Sequence, residues 1–191
     1  VLSAGGGINA TGTGGGSGGG TVNHGIEMTD GSEIAAVGTG KVTLIGYGGN
    51  PAGTGFVNNG IYLFGALTRA STVNGELSVT GTGGSGSDGV SLVFGKLLST
   101  NGPIMVVGTA GSNGVGVVQT DAASITSSGG DISIGDTGGY YPNSPGTDVS
   151  TSAANTLTLS TSATLNLVLN GTTANVDHQQ LKINGKINLN N

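Results

Sequence analysis

The stretch that decides the fold is E-L-S-V-T-G-T-G-G, residues 76–84. In it the apolar residues Leu77 and Val79 alternate with polar ones, and three glycines follow within four residues. Alternation with a period of two residues, closed by glycine, is typical of a short β-strand that has one buried face and ends in a turn. Similar nine-residue phrases begin at residues 7, 41, 103 and 131. The sequence is therefore a repeat.

Alignment of the five phrases predicts which residues share a position in successive repeats. The first apolar column is Ile8, Val42, Leu77, Ile104 and Ile132. The second is Ala10, Leu44, Val79, Val106 and Ile134. A glycine column follows, with Gly12, Gly46, Gly81 and Gly108, and then a column with Thr13, Tyr47, Thr82, Thr109 and Thr137.

A second phrase lies between these copies. It reads N-H-G-I-E-M from residue 23, N-N-G-I-Y-L from 58, S-D-G-V-S-L from 87 and S-N-G-V-G-V from 112, with Asp148-Val149 as a degenerate fifth copy. The first three copies put Ile26, Ile61 and Val90 in one column, and the fourth adds Val115. A third apolar burst carries Ile34, Leu67, Leu97 and Ile125.

Each repeat thus predicts three short strands separated by glycine-rich corners, and one repeat alone has no core. Stacked coils solve this, because each strand pairs with its equivalent in the next coil and the apolar columns become continuous. We predict an all-β fold, a parallel β-helix of about five three-strand coils over residues 1–155. Residues 156–191 are predicted to form an atypical terminal section continuous with it, and 14–20 a mobile outer loop.

Composition excludes several functions. The chain has 191 residues, of which 41 are glycine, with no cysteine and a net charge of −5. Without cysteine there is no disulfide framework or zinc ribbon. Five scattered cations predict no nucleic-acid binding, which needs a basic face. No apolar run approaches about 18 residues, so we predict no membrane-spanning helix.

The repeated I-x-V-T-G-T-G-G with an intervening N-G-I-x-L resembles bacterial surface β-strand-repeat proteins, the autotransporter-passenger and filamentous-haemagglutinin-like group. The resemblance covers residues 1–155. The later segment Leu165–Leu189 is similar to a phrase near the ends of such passengers, carried here by Asp177, Leu181, Ile183, Gly185, Ile187 and Leu189. The resemblance implies a secreted or cell-surface bacterial protein that acts as adhesin, stalk or fibre, and it transfers no catalytic residue and no cofactor.

Asp88 is the one candidate metal ligand. The segment G-G-S-G-S-D-G-V-S, residues 83–91, matches a calcium-binding nonapeptide, which works in tandem copies because each ion lies between successive turns. This chain has one match, and the residues aligned with Asp88 are His24, Asn59 and Asn113. We therefore interpret the position as a ladder of turn-forming residues at a corner.

Catalysis would need paired carboxylates or a metal cluster. The tightest acidic group is Glu27, Asp30 and Glu33, and the single arginine, Arg69, follows one coil later. This leaves open a β-helix polysaccharide lyase or hydrolase. The favoured interpretation is a solvated acidic corner, because scattered surface charges are ordinary.

Charged, histidine and threonine residues lead to three smaller expectations. Lys41 and Glu76 share a column in adjacent coils and are expected to pair. His24 and His178 have no nucleophile or second ligand beside them and are interpreted as surface turn residues. The threonine column leaves open ice binding, although Tyr47 interrupts it.

The leading hypothesis is a non-enzymatic extracellular structural or adhesive β-solenoid module. Its expected partners are further copies, as a fibre or a longer solenoid, and a surface glycan or cell-surface receptor. The alternative is a carbohydrate-active β-helix enzyme, and the third candidate is an ice-binding solenoid.

Overall fold

The computed structural model describes residues 1–16, 21–49, 57–142, 148–151, 156–159 and 186–189. This part of the chain forms eighteen β-strands and no helix, so no helix in it is long and apolar enough to cross a membrane. The strands are β1 Leu2–Ala4, β2 Ile8–Thr13, β3 Ile26–Met28, β4 Glu33–Val37, β5 Val42–Tyr47, β6 Ile61–Phe64, β7 Arg69–Thr72, β8 Leu77–Thr82, β9 Val90–Val93, β10 Lys96–Ser99, β11 Ile104–Thr109, β12 Val117–Thr120, β13 Ser124–Ser127, β14 Ile132–Thr137, β15 Tyr140–Pro142, β16 Asp148–Thr151, β17 Thr156–Leu159 and β18 Lys186–Leu189.

The strands build three parallel sheets that the chain visits in turn. Sheet 1 has the order β1-β4-β7-β10-β13-β16, sheet 2 the order β2-β5-β8-β11-β14-β17-β18, and sheet 3 the order β3-β6-β9-β12-β15. Every strand pairs with the strand of the same sheet in the next coil. The architecture is a parallel β-helix of about five three-strand coils, as the repeat predicts.

Sheet 2 reproduces the predicted columns residue for residue. Leu77 pairs with Val42 on one side and with Ile104 on the other, and Val79 pairs with Leu44 and Val106. These side chains point inward and are fully buried, because in-register stacking covers each with its equivalents above and below. The apolar columns of all three sheets meet in one continuous core.

The glycine column of sheet 2 is required by a close approach of two backbones at the corner between sheets 2 and 3. A Cβ built on Gly81 would lie 2.0 Å from the carbonyl oxygen of Gly89, and a Cβ on Gly89 would lie 2.5 Å from the nitrogen of Thr109. The same contact joins Gly12 with Gly25, Gly46 with Gly60, and Gly108 with Gly116. Much of the chain's glycine therefore serves close packing rather than flexibility.

The predicted register of sheet 3 is wrong in the fourth coil. Val117, not Val115, pairs with Val90, and Gln119 pairs with Leu92. A slip of two residues keeps every side chain on the same face, so alternation alone could not separate the two alignments.

Two further apolar assignments are corrected. The fifth copy of the second phrase is not Asp148-Val149, because Tyr140 pairs with Val117 there and Val149 pairs with Ile125 in sheet 1. In sheet 1, Ala70 occupies the column expected for Leu67, which is 76% exposed.

The corner before β7 explains the exposure of Leu67. The hydroxyl of the buried Thr68 donates to the carbonyl of Phe64 at 2.7 Å and accepts from the amide of Gly31 at 3.1 Å. These bonds fix the turn so that β7 begins at Arg69 and Ala70 points inward.

Part of the predicted terminal section extends sheet 2. β17 pairs with β14, and β18 pairs with β17, both in parallel. Residues 160–185 of the predicted terminal section lie outside the described residues, as do residues 17–20 of the expected outer loop.

Candidate functional site

The most ordered polar feature is a hydrogen-bond ladder at the corner between sheets 2 and 3. We call it the corner ladder; its residues are Asn23, His24, Asn58, Asn59, Ser87 and Asp88. Each of the first three coils contributes two consecutive polar residues, which precede a corner glycine. The side chains of all of them except Asn23 accept hydrogen bonds from backbone amides of neighbouring coils, and Nδ2 of Asn23 donates to Oδ1 of Asn58 at 3.3 Å. The corner therefore satisfies groups that no sheet pairs.

Two rows of the ladder run in opposite directions. In one row the amide of Asn23 donates to Oδ1 of Asn58 at 2.9 Å, and the amide of Asn58 donates to Oγ of Ser87 at 2.6 Å. In the other, the amide of Asn59 donates to Nδ1 of His24 at 3.2 Å, and the amide of Asp88 donates to Oδ1 of Asn59 at 3.0 Å. The ladder predicted from sequence is confirmed through three coils.

Asp88 is the last rung of the second row. Its Oδ1 accepts the amide of Val115 at 2.9 Å, so Val115 takes the position that the sequence assigned to Asn113. Partial burial raises the pKa of Asp88, and the hydrogen bond from Val115 opposes that shift. No group of three or more acidic or histidine side chains that could hold a metal is found among the described residues. Asp88 thus caps the backbone amide of Val115 in the fourth coil.

His24 is the first rung and also part of an aromatic row. Its ring stacks on Tyr62 with centroids 4.7 Å apart, and Tyr62 stacks on Phe64 at 6.1 Å. Burial lowers the pKa of His24, while the negative charge of Glu27 acts in the opposite direction. His24 is therefore a half-buried corner residue whose ring packs on Tyr62 and accepts the amide of Asn59, two contacts that the interpretation as a surface turn residue did not include. His178 lies outside the described residues.

The acidic group singled out from sequence is divided among elements. Glu33 begins β4 in sheet 1, whereas Glu27 lies on the exposed face of β3 and Asp30 lies in the intervening turn with φ +54°. Arg69 pairs in register with Glu33, and its Nε donates to Oε1 of Glu33 at 2.8 Å. This carboxylate raises the pKa of the guanidinium.

The ion pair of Glu33 and Arg69 borders a groove of about 510 Å³ on the outer face of sheet 1. Small and apolar side chains form much of its lining, among them Ala35, Ser71 and Leu98. A second ion pair joins Nζ of Lys41 to Oε2 of Glu76 at 3.3 Å, as the shared column predicts.

Among the described residues, β2 and β3 are the outermost strands of sheets 2 and 3 at the start of the solenoid, whereas β4 in sheet 1 is covered by β1. Ile8, Ala10, Ile26 and Ile34 are only partly buried, whereas the residues that pair with them in the second coil are fully buried. The amide of Ile8 donates to Lys41 and that of Gly14 to Tyr47, so even-numbered residues of β2 bond to β5. Successive residues of a strand direct their backbone groups to opposite sides. The N–H and C=O groups of Asn9, Thr11 and Thr13 therefore point to the open side.

The outer face of sheet 2 carries the threonine column. Thr13, Tyr47, Thr82, Thr109 and Thr137 stack in register as predicted. Tyr47 is 46% exposed, and Met105, which lies on the same face, is 37% exposed. These two side chains stand above the hydroxyl array.

Sequence reasoning missed a polar pair inside the core. Tyr140 is fully buried, and its hydroxyl donates to Oε1 of the buried Gln119, whose Nε2 donates to the carbonyl of Ala123. Gln119 and Tyr140 occupy inward positions where the earlier coils have methionine or leucine and isoleucine or valine. The repeat pattern assigns such positions to apolar residues, so it gave no signal for this pair.

Comparison with known proteins gives no match: no protein-family model, curated protein or solved structure matches the chain. The resemblance to bacterial surface repeat proteins therefore rests on the sequence phrases alone, and the structure shows the β-solenoid architecture.

Proposed function

We propose that this protein is a structural or adhesive β-solenoid module, a stiff rod segment whose first coil pairs with a further β-coil. The observation that carries the proposal is the edge formed by β2 and β3, which presents apolar columns and, in the described part of the chain, backbone groups that no neighbouring strand pairs. The resemblance to bacterial surface proteins supports an extracellular or cell-surface location.

The chemistry of the edge favours pairing. Exposed strand edges are commonly protected by proline, charge or a bulge, because they are templates for addition of another strand. β2 reads I-N-A-T-G-T and has no proline and no charge. A coil added here would cover Ile8 and Ala10 and extend sheet 2 by one strand. The added coil belongs either to the same polypeptide or to another molecule.

Rod stiffness follows from the ladders. Each coil is joined to the next by three sets of parallel hydrogen bonds and by a shared core, so bending the axis would break backbone pairing along one side. Such a rod displays its corner loops at defined intervals, which suits a stalk or adhesin.

The test uses one position with two substitutions. Thr11→Pro removes an edge donor without touching the bonds to β5, because Thr11 faces the open side; Thr11→Val keeps the donor. We expect the chain and Thr11→Val to form elongated assemblies at high concentration in electron microscopy and sedimentation, and Thr11→Pro to lose them. Dispersed monomers of the unmodified chain, or equal assembly of both variants, would refute pairing through this edge.

The carbohydrate-active alternative has one observation in its favour, the groove bordered by Glu33 and Arg69. Hydrolysis by general acid and base needs two carboxylates at a set separation, and the described lining of the groove supplies one, Glu33. A screen on acidic and neutral polysaccharides tests this alternative. Turnover that disappears with Glu33→Gln and with Arg69→Ala would make a carbohydrate-active enzyme the preferred function over a structural module.

A further inference from the structure

On the outer face of sheet 2, strands with bulky side chains alternate with strands that carry small ones, and we call this alternation the relief of the face. β5 and β11 carry bulky apolar side chains, whereas β2, β8 and β14 carry small residues. The bulky residues are Ile45, Tyr47, Met105 and Val107. The small ones are Asn9, Thr11, Thr13, Ser78, Thr80, Thr82, Ser133, Gly135 and Thr137. Ridges therefore recur at every second strand, about 9.6 Å apart.

This relief is complementary to itself. Two copies of the chain interlock when they are related by a two-fold axis that lies in front of the face, runs parallel to the strands and passes between β8 and β11. Rotation of the second copy about this axis reverses its strand order and keeps its residue register. As a result, β11 of one copy faces β8 of the other, and β5 faces β14. Both ridges then meet valleys, and all strands from β2 to β17 are covered.

The residue pairs fit this arrangement. Ile45 faces Gly135, so the one aliphatic side chain on the outer face of β5 meets the position of β14 that has no side chain. Met105 faces Ser78, and Val107 faces Thr80. Bulky groups opposite small ones give the close packing that interfaces need.

Charge and area agree with this fit. No residue on the outer face of β2, β5, β8, β11 and β14 is charged, although the chain carries −5 overall, so the face brings two copies together without local repulsion. Five strands of six residues and β17 with four, spaced about 4.8 Å apart with about 3.3 Å per residue, give roughly 540 Å² per copy. The pair buries roughly 1,080 Å², above the value of about 1,000 Å² expected of a specific interface.

We propose that the outer face of sheet 2 is an isologous interface between two copies of this chain, with β5 and β11 as the interlocking ridges. A second copy fits better than a flat crystalline surface such as ice, because Tyr47 and Met105 would hold a flat lattice away from the threonines. The interface uses a face rather than the edge of the first coil, so it stands whether or not edge pairing occurs.

The first experiment separates the face from the edge. Sedimentation is measured on Thr11→Pro, which blocks edge pairing and changes only the rim of the face. We expect a concentration-dependent dimer, weakened at least tenfold by adding Thr80→Lys, which puts a charge into the central valley. Thr126→Lys, a matched change on the outer face of sheet 1, should leave the dimer intact. A Thr11→Pro protein that stays monomeric at millimolar concentration, or a dimer indifferent to Thr80→Lys, would overturn the proposal.

The second experiment tests the register by disulfide cross-linking. The chain has no cysteine of its own, so only introduced cysteines can form a disulfide. The double variant Ile45→Cys/Gly135→Cys should give a covalent dimer on oxidation, since the two positions face each other across the axis. Within one copy they are three strands, about 14 Å, apart, too far for a disulfide. Ile45→Cys alone should give no covalent dimer. Equal cross-linking of single and double variants would rule out this register.

Discussion

The first and third coils contain the same tripeptide in the same strand position and differ in what surrounds it. Thr11-Gly12-Thr13 ends β2, at the edge of sheet 2, and Thr80-Gly81-Thr82 ends β8, between β5 and β11. The inward residues of β2 are partly exposed, and those of β8 are fully buried. Identical local sequence thus gives different burial, so stability resides in stacking between coils more than in any one coil.

The largest expected difference between the two coils comes from the shared apolar column. Leu77→Ala should lower the free energy of unfolding by about 3 to 4 kcal/mol, because Leu77 is fully buried and its removal leaves a cavity. Ile8→Ala should cost about 1 kcal/mol, because the side chain is already partly exposed and the edge can relax. Urea denaturation of both variants measures the difference; equal losses would mean that the first coil is as well covered as the third.

The next largest loss of stability is expected at the close backbone approach between sheets 2 and 3. A Cβ on Gly81 would meet the carbonyl oxygen of Gly89 at 2.0 Å, with coils on both sides preventing retreat. We expect Gly81→Ala to cost about 3 kcal/mol, at the upper end of overpacking penalties. Gly15→Ala is the matched control, because nothing lies within 4 Å of its Cβ, and its effect should stay within about 0.5 kcal/mol. A similar loss for both variants would show that the close approach at Gly81 is not the cause, because alanine restricts the unfolded chain and by itself favours the folded state.

These two comparisons show why most of the fold could be predicted. The columns of sheet 2 follow from five phrases with the same internal spacing, and a glycine pair fixes where each strand ends. Sheet 3 is less determined, because S-N-G-V-G-V-V-Q-T has valines two residues apart and either can pair with Val90. The length of the preceding loop decides between them, and alternation carries no information about that length.

The candidate site was predictable to a similar degree. Consecutive polar residues before a corner glycine indicated the ladder of His24, Asn59 and Asp88. The burial of His24 depends on Tyr62 in the next coil, and spacing within the sequence does not specify such contacts between rings. The relief of the outer face likewise depends on which strands become neighbours.

The third prediction compares two substitutions of Asp88 within the third coil. Asp88→Asn keeps an oxygen for the amide of Val115 and removes a partly buried charge, so stability at pH 7 should stay equal or rise by up to about 1 kcal/mol. Asp88→Ala leaves that amide unsatisfied and should cost about 1 to 3 kcal/mol.

The effect of calcium on the melting temperature separates a structural role of Asp88 from a role as metal ligand. A structural cap predicts that melting of the unmodified chain is the same with calcium and with chelator. If calcium raised the melting temperature and Asp88→Asn abolished that rise, Asp88 would be a metal ligand and the corner ladder an incomplete description of its role.

The smallest effect is expected at the first rung, in the dependence of stability on pH. Burial lowers the pKa of His24 below its ordinary value of 6.5, and the amide of Asn59 occupies Nδ1, where a proton would bind. Because the unfolded chain takes up this proton first, the contribution of His24 is fully present above pH 6.5 and is lost as pH falls toward the folded-state pKa. The slope should stay below about 1.4 kcal/mol per pH unit, the value for one full proton.

The control for this slope comes from the neighbouring coil. His24→Asn places at the first rung the residue that forms the second, where Asn59 accepts an amide through Oδ1. Asp88 has the opposite effect on the pH dependence of stability. Because its pKa is raised in the folded protein, the free energy of unfolding falls as pH rises from about 3.8 to the folded-state pKa of Asp88. Asp88 is present in both chains, so measurements from pH 7.5 to 5.5 should show a larger loss of stability in the unmodified chain than in His24→Asn. If both chains lose stability equally, a group other than His24 is responsible for the slope. The folded structure then does not lower the pKa of the His24 imidazole.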